Sequence, residues 1–323
     1  MQVGATPSLV EIPICKTDDE CQKSIASMPD EHKPLEITGP DPKWRFFWRI
    51  GERPKEGGFE ALNAEPVVPK AFPQWRETMD TWGQLMLQSV TTCAQMAAVG
   101  FGLPRDALSS LMELGPHLLA PTGSDLSTRS GWRTPGTVLA GYHNDLNLFT
   151  IHGKSRYPGL HVWLRDGTKM QVKIPDGCLL VQAGMQIERL TGGAVQAVRL
   201  STSPPRTCAT AAHISPALNV PVSLCSRVRT SLRALVLAWW AVRPQGMHEV
   251  VVLPSTVEAA ERQEAAGRPT WRISSTLFAH VASAKELRPL GKFATKEALE
   301  RFPPISAGEQ VTNVLKKINL AKS

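Results

Sequence analysis

The chain has 323 residues, 42% of them hydrophobic and 20% charged, which is enough apolar material for one large domain or two small ones and excludes a disordered protein. Its longest apolar run, residues 234–242, is nine positions, too short to cross a bilayer as a helix, and the first thirty residues lack a basic start followed by an apolar run, so neither a membrane span nor a secretory leader is expected. The net charge of +7 would suit a nucleic-acid partner, but six Arg without any Lys, Asp or Glu fall within residues 198–245 and the remainder carries +1, so no nucleic-acid footprint is expected either.

The six cysteines (Cys15, Cys21, Cys93, Cys178, Cys208 and Cys225) show no paired metal-type spacing, and a reducing, cytoplasmic setting is the default. A polar, Pro-containing stretch runs to about Lys43. The cluster Trp44-Arg45-Phe46-Phe47-Trp48 then reads as a strand with a buried aromatic face. Trp75, Met79, Trp82, Met86, Val90, Cys93 and Ala97 recur at steps of three and four, which predicts a long amphipathic helix ending near Gly100. Pro104 opens a shorter helix that Gly115-Pro116 stops. From about Leu118 short runs rich in Val, Leu, Ile and Thr alternate with Gly, Pro and Asp, and 146–151, 160–164, 170–174, 178–183 and 194–197 are predicted strands of a β sandwich or barrel. Ser255-Thr256-Val257-Glu258 reads as a capping box opening a helix that ends near Gly267, and 271–280 as a further strand. In the tail, Ser306-Ala307-Gly308-Glu309 starts a helix with Val311, Val314, Leu315 and Ile318 on one face.

Two short stretches carry the chemistry. Tyr142-His143-Asn144-Asp145 and Gly246-Met247-His248-Glu249-Val250 can supply two imidazoles and one carboxylate to a single metal ion. Three ligands of this type leave other positions of an octahedral ion open, which suits ferrous iron that must also bind a cosubstrate and dioxygen. The candidate chemistry is oxidative. In extended chain, residues two apart share a side, so His143 and Asp145 can converge while Asn144 faces away. His117, His152, His161 and His280 read as structural or exposed.

Gly141 to Ile151, Pro158-Gly159-Leu160-His161-Val162-Trp163, Pro175 to Gly184, Ile187 to Gly193, Gly246 to Val251 and Trp271-Arg272-Ile273-Ser274 together resemble the isopenicillin N synthase-like family of iron and 2-oxoglutarate-dependent oxygenases. The resemblance implies an all-β core with flanking helices, a double-stranded β-helix or jelly roll, with His143, Asp145 and His248 holding Fe(II) at its open end. It implies 2-oxoglutarate as cosubstrate, its far carboxylate held by Arg272 and Ser274, and O2 as oxidant. The spacing of Arg272 and Ser274 puts both on one face of a strand, where a guanidinium can take a carboxylate in two parallel hydrogen bonds. The implied activity is a non-haem dioxygenase that hydroxylates a small organic molecule with release of succinate and CO2. Desaturation or ring closure are open outcomes, and a non-catalytic jelly-roll binding protein, or a variant inactivated by the 198–245 segment, is the competing reading. Where many relatives carry Asn-x-Tyr-Pro, this chain reads Leu119-Ala120-Pro121-Thr122-Gly123.

The implied organisation is an N-terminal helical or irregular part (1–114) packing on the core, an oxygenase domain (115–283) interrupted by 198–245, and C-terminal helices (284–323). His143 and His248 lie 105 positions apart, and 57 once those 48 residues are set aside, an interval typical of the family. The interruption begins with Val198, whose codons start GT, and ends with Gln245, which CAG encodes. It reads as a retained in-frame intron or as a genuine insertion, a lid or arm.

Overall fold

A computed structural model describes residues 3–55, 58–164, 166–195, 244–318 and 320. Residues 198–243 of the compositionally odd segment lie outside them; its last two residues begin a strand. In chain order the elements are β1 (Gly4–Thr6), α1 (Asp19–Ala26), β2 (Trp44–Ile50), α2 (Trp75–Gly100), α3 (Ser109–Met112), β3 (His117–Leu119), β4 (Thr122–Asp125), β5 (Val138–His143), β6 (Phe149–His152), β7 (Leu160–Leu164), β8 (Lys169–Gln171) and β9 (Leu180–Ala183). There follow α4 (Met185–Leu190), β10 (Pro244–Val251), α5 (Pro254–Ala265), β11 (Trp271–Ser274), β12 (Thr276–Ala279), β13 (Glu286–Leu287), α6 (Lys296–Arg301), β14 (Ile305–Ser306) and α7 (Ala307–Lys317).

Two antiparallel sheets make the body. The larger has the order β11-β4-β2-β3-β12-β6-β9, with β1 added beside β2, and the smaller the order β5-β10-β7-β8. This is the expected jelly-roll core. β2 supplies an internal strand between β4 and β3, so part of the N-terminal third is woven into the sheet. Side chains alternate across both sheets. On the smaller sheet Tyr142, Trp163 and Met247 face outward into a buried cluster with Cys15, while their neighbours His143, Val162 and His248 take the other side. A disulfide joins Cys15 to Cys21 under this cover, a pairing that the cysteine spacing does not announce and that departs from the reducing default.

Helix α2 matches its periodicity, and Met79, Met86, Val90, Ala94 and Ala97 bury against Trp48, Ile50, Leu119, Phe149, Ile151 and Leu277 on the outer face of the larger sheet. Burial of the larger of these side chains contributes about 1.5–3 kcal/mol each. Trp48 Nε1 donates to Asp80 Oδ1 at 2.7 Å and Trp82 Nε1 to Ser275 Oγ, tying helix to sheet.

Several boundaries differ from expectation for local reasons. The strand expected over 146–151 begins only at Phe149, because the carbonyls of Asp145, Asn147 and Leu148 accept from Met185, Gln186 and Gly184 at the start of α4. The strand expected over 271–280 is broken at Ser275, since β11 pairs with β4 while β12 pairs with β3 and β6. Ala194 and Val195 sit in a turn closed on Thr191, not in a strand. Helix α5 is capped two residues earlier than the capping box predicts, with Leu253 N–H donating to Thr256 Oγ1 at 3.0 Å and Pro254 as the first helical residue. In α7 the expected Ser306 cap is present, accepting from Glu309 N–H at 3.2 Å.

His117 and His280 are buried together at the end of the larger sheet. His117 Nδ1 accepts from His280 N–H at 3.0 Å while its Nε2–H donates to Met112 O at 3.0 Å, an arrangement only the neutral ring can make. Burial, with Arg49 nearby, holds His117 down at about 3, and burial together with His117 holds His280 well below its ordinary value. Both rings would titrate near 6.5 in the unfolded chain, so their contribution is fully present above that pH and is lost as pH falls toward the folded-state values. Stability should drop by about 2 kcal/mol per ring between pH 7.5 and 5. Thermal unfolding across that range tests this, and a flat profile would contradict it.

Candidate metal centre

His143 is the last residue of β5, and its register partner across the antiparallel ladder is His248 on β10. Their rings lie 4.2 Å apart, centroid to centroid. Each imidazole is fixed by its own strand: His143 Nδ1 meets Gly141 O at 2.6 Å and His248 Nδ1 meets Gly246 O at 3.0 Å. A carbonyl can only accept, so Nδ1 carries the proton in both rings and each Nε2 is left with a free lone pair. Gly246 reaches its carbonyl position with φ +69°, inside a register irregularity between Pro244 and His248. A bulge of this kind re-aims the next side chain, and here it aims His248.

Asp145 lies just beyond β5 and completes the group. One donor atom from each of His143, Asp145 and His248 falls within 4.8 Å of the other two, with Asp145 and His248 buried and His143 half-buried. Asp145 Oδ2 accepts from Thr150 Oγ1 at 2.6 Å, while Met185 N–H holds the Asp145 carbonyl at 2.8 Å. Enclosure, reinforced by the His248 ring and Lys43, pushes His143 down to about 3, which keeps it neutral at physiological pH. Burial opposes ionisation of Asp145, but the imidazoles of His248, His143 and His152 and the Thr150 hydrogen bond outweigh it and hold the carboxyl below its ordinary value. Neutral imidazole and ionised carboxylate are the metal-ligating forms.

These side chains open into a cavity of about 530 Å³ walled by both sheets. Arg272 and Ser274, alternate residues of β11, line it, and the other two residues of that strand, Trp271 and Ile273, are exposed. Arg272 is only 8% exposed, its Nε has no hydrogen-bond partner, and among the described residues no carboxylate pairs with it. Burial lowers its pKa to about 10, so it remains a cation at neutral pH. A buried guanidinium with no counter-charge is set up for an anionic ligand.

Other members of the wall escape a reading of motifs. His152, expected to be structural or exposed, lines the cavity with its ring 6.2 Å from that of His248, centroid to centroid. His161 stands apart from the trio on β7, and His117 and His280 serve the packing described above. Lys43 and Arg45 also reach the cavity, but Lys43 pairs with Glu11 at 3.0 Å and Asp41 at 2.7 Å, and Arg45 with Glu11 at 3.1 Å. Burial alone would raise the Glu11 carboxyl; Arg45 and Lys43 overcome it and bring the pKa down to about 2. Within the 119–123 stretch that stands in place of the relatives' Asn-x-Tyr-Pro, Thr122 lines the cavity, and its Oγ1 accepts from Arg45 Nε at 3.1 Å.

No family profile and no curated protein matches the sequence. Solved structures do match. A 2OG-Fe(II) oxygenase family protein from Caulobacter crescentus superposes with a TM-score of 0.58 at 21% identity, covering 93% of this chain and 84% of that one. A full-length Neurospora crassa protein, solved in complex with alpha-KG, gives 0.58 at 15% identity over 97% of this chain and 75% of that one. JOX2, solved with 2OG, Fe and JA, gives 0.52 at 14% identity over 96% and 75%. The fold is that of the 2OG-Fe(II) oxygenases. Within this oxygenase fold the resemblance seen in the sequence and the likeness in three dimensions coincide, and the trio sits where its two sheets meet.

Proposed function

We propose that this chain is a non-haem Fe(II), 2-oxoglutarate-dependent dioxygenase that hydroxylates a small organic substrate. The observation that carries the reading is the convergence of two imidazoles and one carboxylate in a cavity that also holds a buried, unpaired Arg272. Two imidazoles and a carboxylate suit ferrous iron and leave positions open to other ligands. Bound iron would supply the oxidative chemistry, in which 2-oxoglutarate and O2 give succinate, CO2 and an oxidised substrate.

The protein's own part is positional. His143 and His248 present Nε2 because Gly141 and Gly246 hold Nδ1–H; Thr150 occupies Oδ2 of Asp145 and leaves Oδ1 for the metal. Arg272, with Ser274 on the same face of β11, would take the far carboxylate of 2-oxoglutarate, its planar donors matching the two oxygens. The apolar walls of the cavity keep water from the reacting carbon. The chain is read as acting in the cytoplasm; among the described residues no helix is long and apolar enough to cross a membrane.

Anaerobic titration with ferrous iron followed by succinate assay with 2-oxoglutarate and O2 tests the proposal. Stoichiometric iron binding with succinate release supports it, iron binding without succinate supports a non-catalytic jelly-roll protein, and absence of iron binding overturns it.

A further inference from the structure

The cavity wall has a lopsided charge. Among the described residues, six that line it are Lys or Arg, and Asp145 is the one acid. Three of the cations are answered nearby, Lys43 and Arg45 by Glu11 and Asp41, and Lys154 by Asp176 at 2.5 Å. Arg156, Lys173 and Arg272 have no ion pair among the described residues. On the oxygenase reading, from which this step proceeds, the two charges of ferrous iron balance those of 2-oxoglutarate, and Asp145 balances Arg272. Arg156 and Lys173 are then left over in the loaded site.

Their placement matters more than their number. Scattered surface cations are ordinary, but these two belong to separate segments that line one cavity: Arg156 follows β6 in the loop before β7, and Lys173 follows β8. Both are exposed at its edge, whereas Leu139, Leu160, Val172, Ile174 and Val250 line the same cavity with apolar surface. A cleft with one sign of charge and low-dielectric walls focuses its field on an incoming ligand of the opposite sign. We infer that the primary substrate is a small organic acid, its carboxylate held at the cavity mouth by Arg156 and Lys173 and its apolar body directed inward toward the metal centre. The carbon to be oxidised is therefore remote from the carboxylate.

The test compares matched probes that differ in charge alone, 1-naphthoate against 1-naphthamide and octanoate against octanamide, by calorimetric titration of the full chain under nitrogen. It is run with ferrous iron and 2-oxoglutarate present and again without them. At least one acid should bind about tenfold more tightly than its amide in the loaded protein, and the Arg156→Gln/Lys173→Gln double variant should lose that preference. Raising the ionic strength to about 0.5 M should shrink it as well. The affinity for 2-oxoglutarate should be unchanged in the double variant. Equal affinities of acid and amide in both pairs, no detectable binding of either acid, or a preference that survives the double substitution would each overturn the inference. Failure to bind iron would instead strike the oxygenase reading, and the contribution of Arg156 and Lys173 would still be read from the metal-free comparison of parent and variant.

Discussion

Replacing Asp145 by Ala should lower the affinity for ferrous iron at least about a hundredfold and bring succinate formation to background, while a Thr150→Val substitution should cost about tenfold in affinity. The difference follows from what each group does. Asp145 is the only carboxylate of the trio, and without it two imidazoles remain for a doubly charged ion. Thr150 donates to Asp145 Oδ2, and on the proposed reading its hydroxyl would orient the carboxylate without itself being a ligand. Anaerobic iron titration of the parent and both variants, with circular dichroism as a check on folding, measures the two effects side by side. Undiminished affinity in Asp145→Ala would remove the carboxylate from the site.

The second large effect is expected at Gly184, a residue that touches no ligand. Its backbone is ordinary, φ −102°, so the constraint is steric, not conformational. A Cβ there would collide with the carbonyl oxygen of Asn147 and press to 3.1 Å from that of Asp145. The N–H groups of Gly184, Met185 and Gln186 hold the carbonyls of Leu148, Asp145 and Asn147, so this contact is the floor on which the Asp145 turn rests. Gly184→Ala should destabilise the fold by about 1–3 kcal/mol, as overpacking does, and weaken iron binding about tenfold or more by shifting the ligand turn. Gly39→Ala, where nothing lies within 4 Å of the added carbon, should change stability by less than about 0.5 kcal/mol. Thermal unfolding and iron titration of the two variants decide between a steric floor and an indifferent loop.

What could be read from the sequence was what local physics writes into it. The stripe from Trp75 to Ala97 and the Ser306 cap are properties of neighbouring residues, and both stand in the structure as expected. His143, Asp145 and His248 could be nominated because their residue types and order matched a known pattern. The bulge at Gly246 and the tautomers set by two glycine carbonyls could not, because they depend on how β5 and β10 pair. The Glu11, Asp41, Lys43 and Arg45 cluster was invisible for a similar reason: Glu11 meets Lys43 and Arg45 only after folding, and a lone Glu in a polar stretch gives no sign of burial. His152 carried no motif at all, and only the pairing of β6 with β9 and β12 turns it toward the cavity. The late start of the strand expected over 146–151 had the same origin, since α4 claims carbonyls that a strand would otherwise use.

The trio spans the seam between the two halves of the roll. His143 and His248 belong to the smaller sheet, and Asp145 is tethered through Thr150 to β6 of the larger. An ion gripped there would act as a clasp between the two sheets, and its binding would add about 2.7 kcal/mol to stability when free metal stands a hundredfold above its dissociation constant. Chelation would undo that clasp at the same end through which an organic acid would enter. Resistance to heat and ease of access are thereby set against each other in a single structural element.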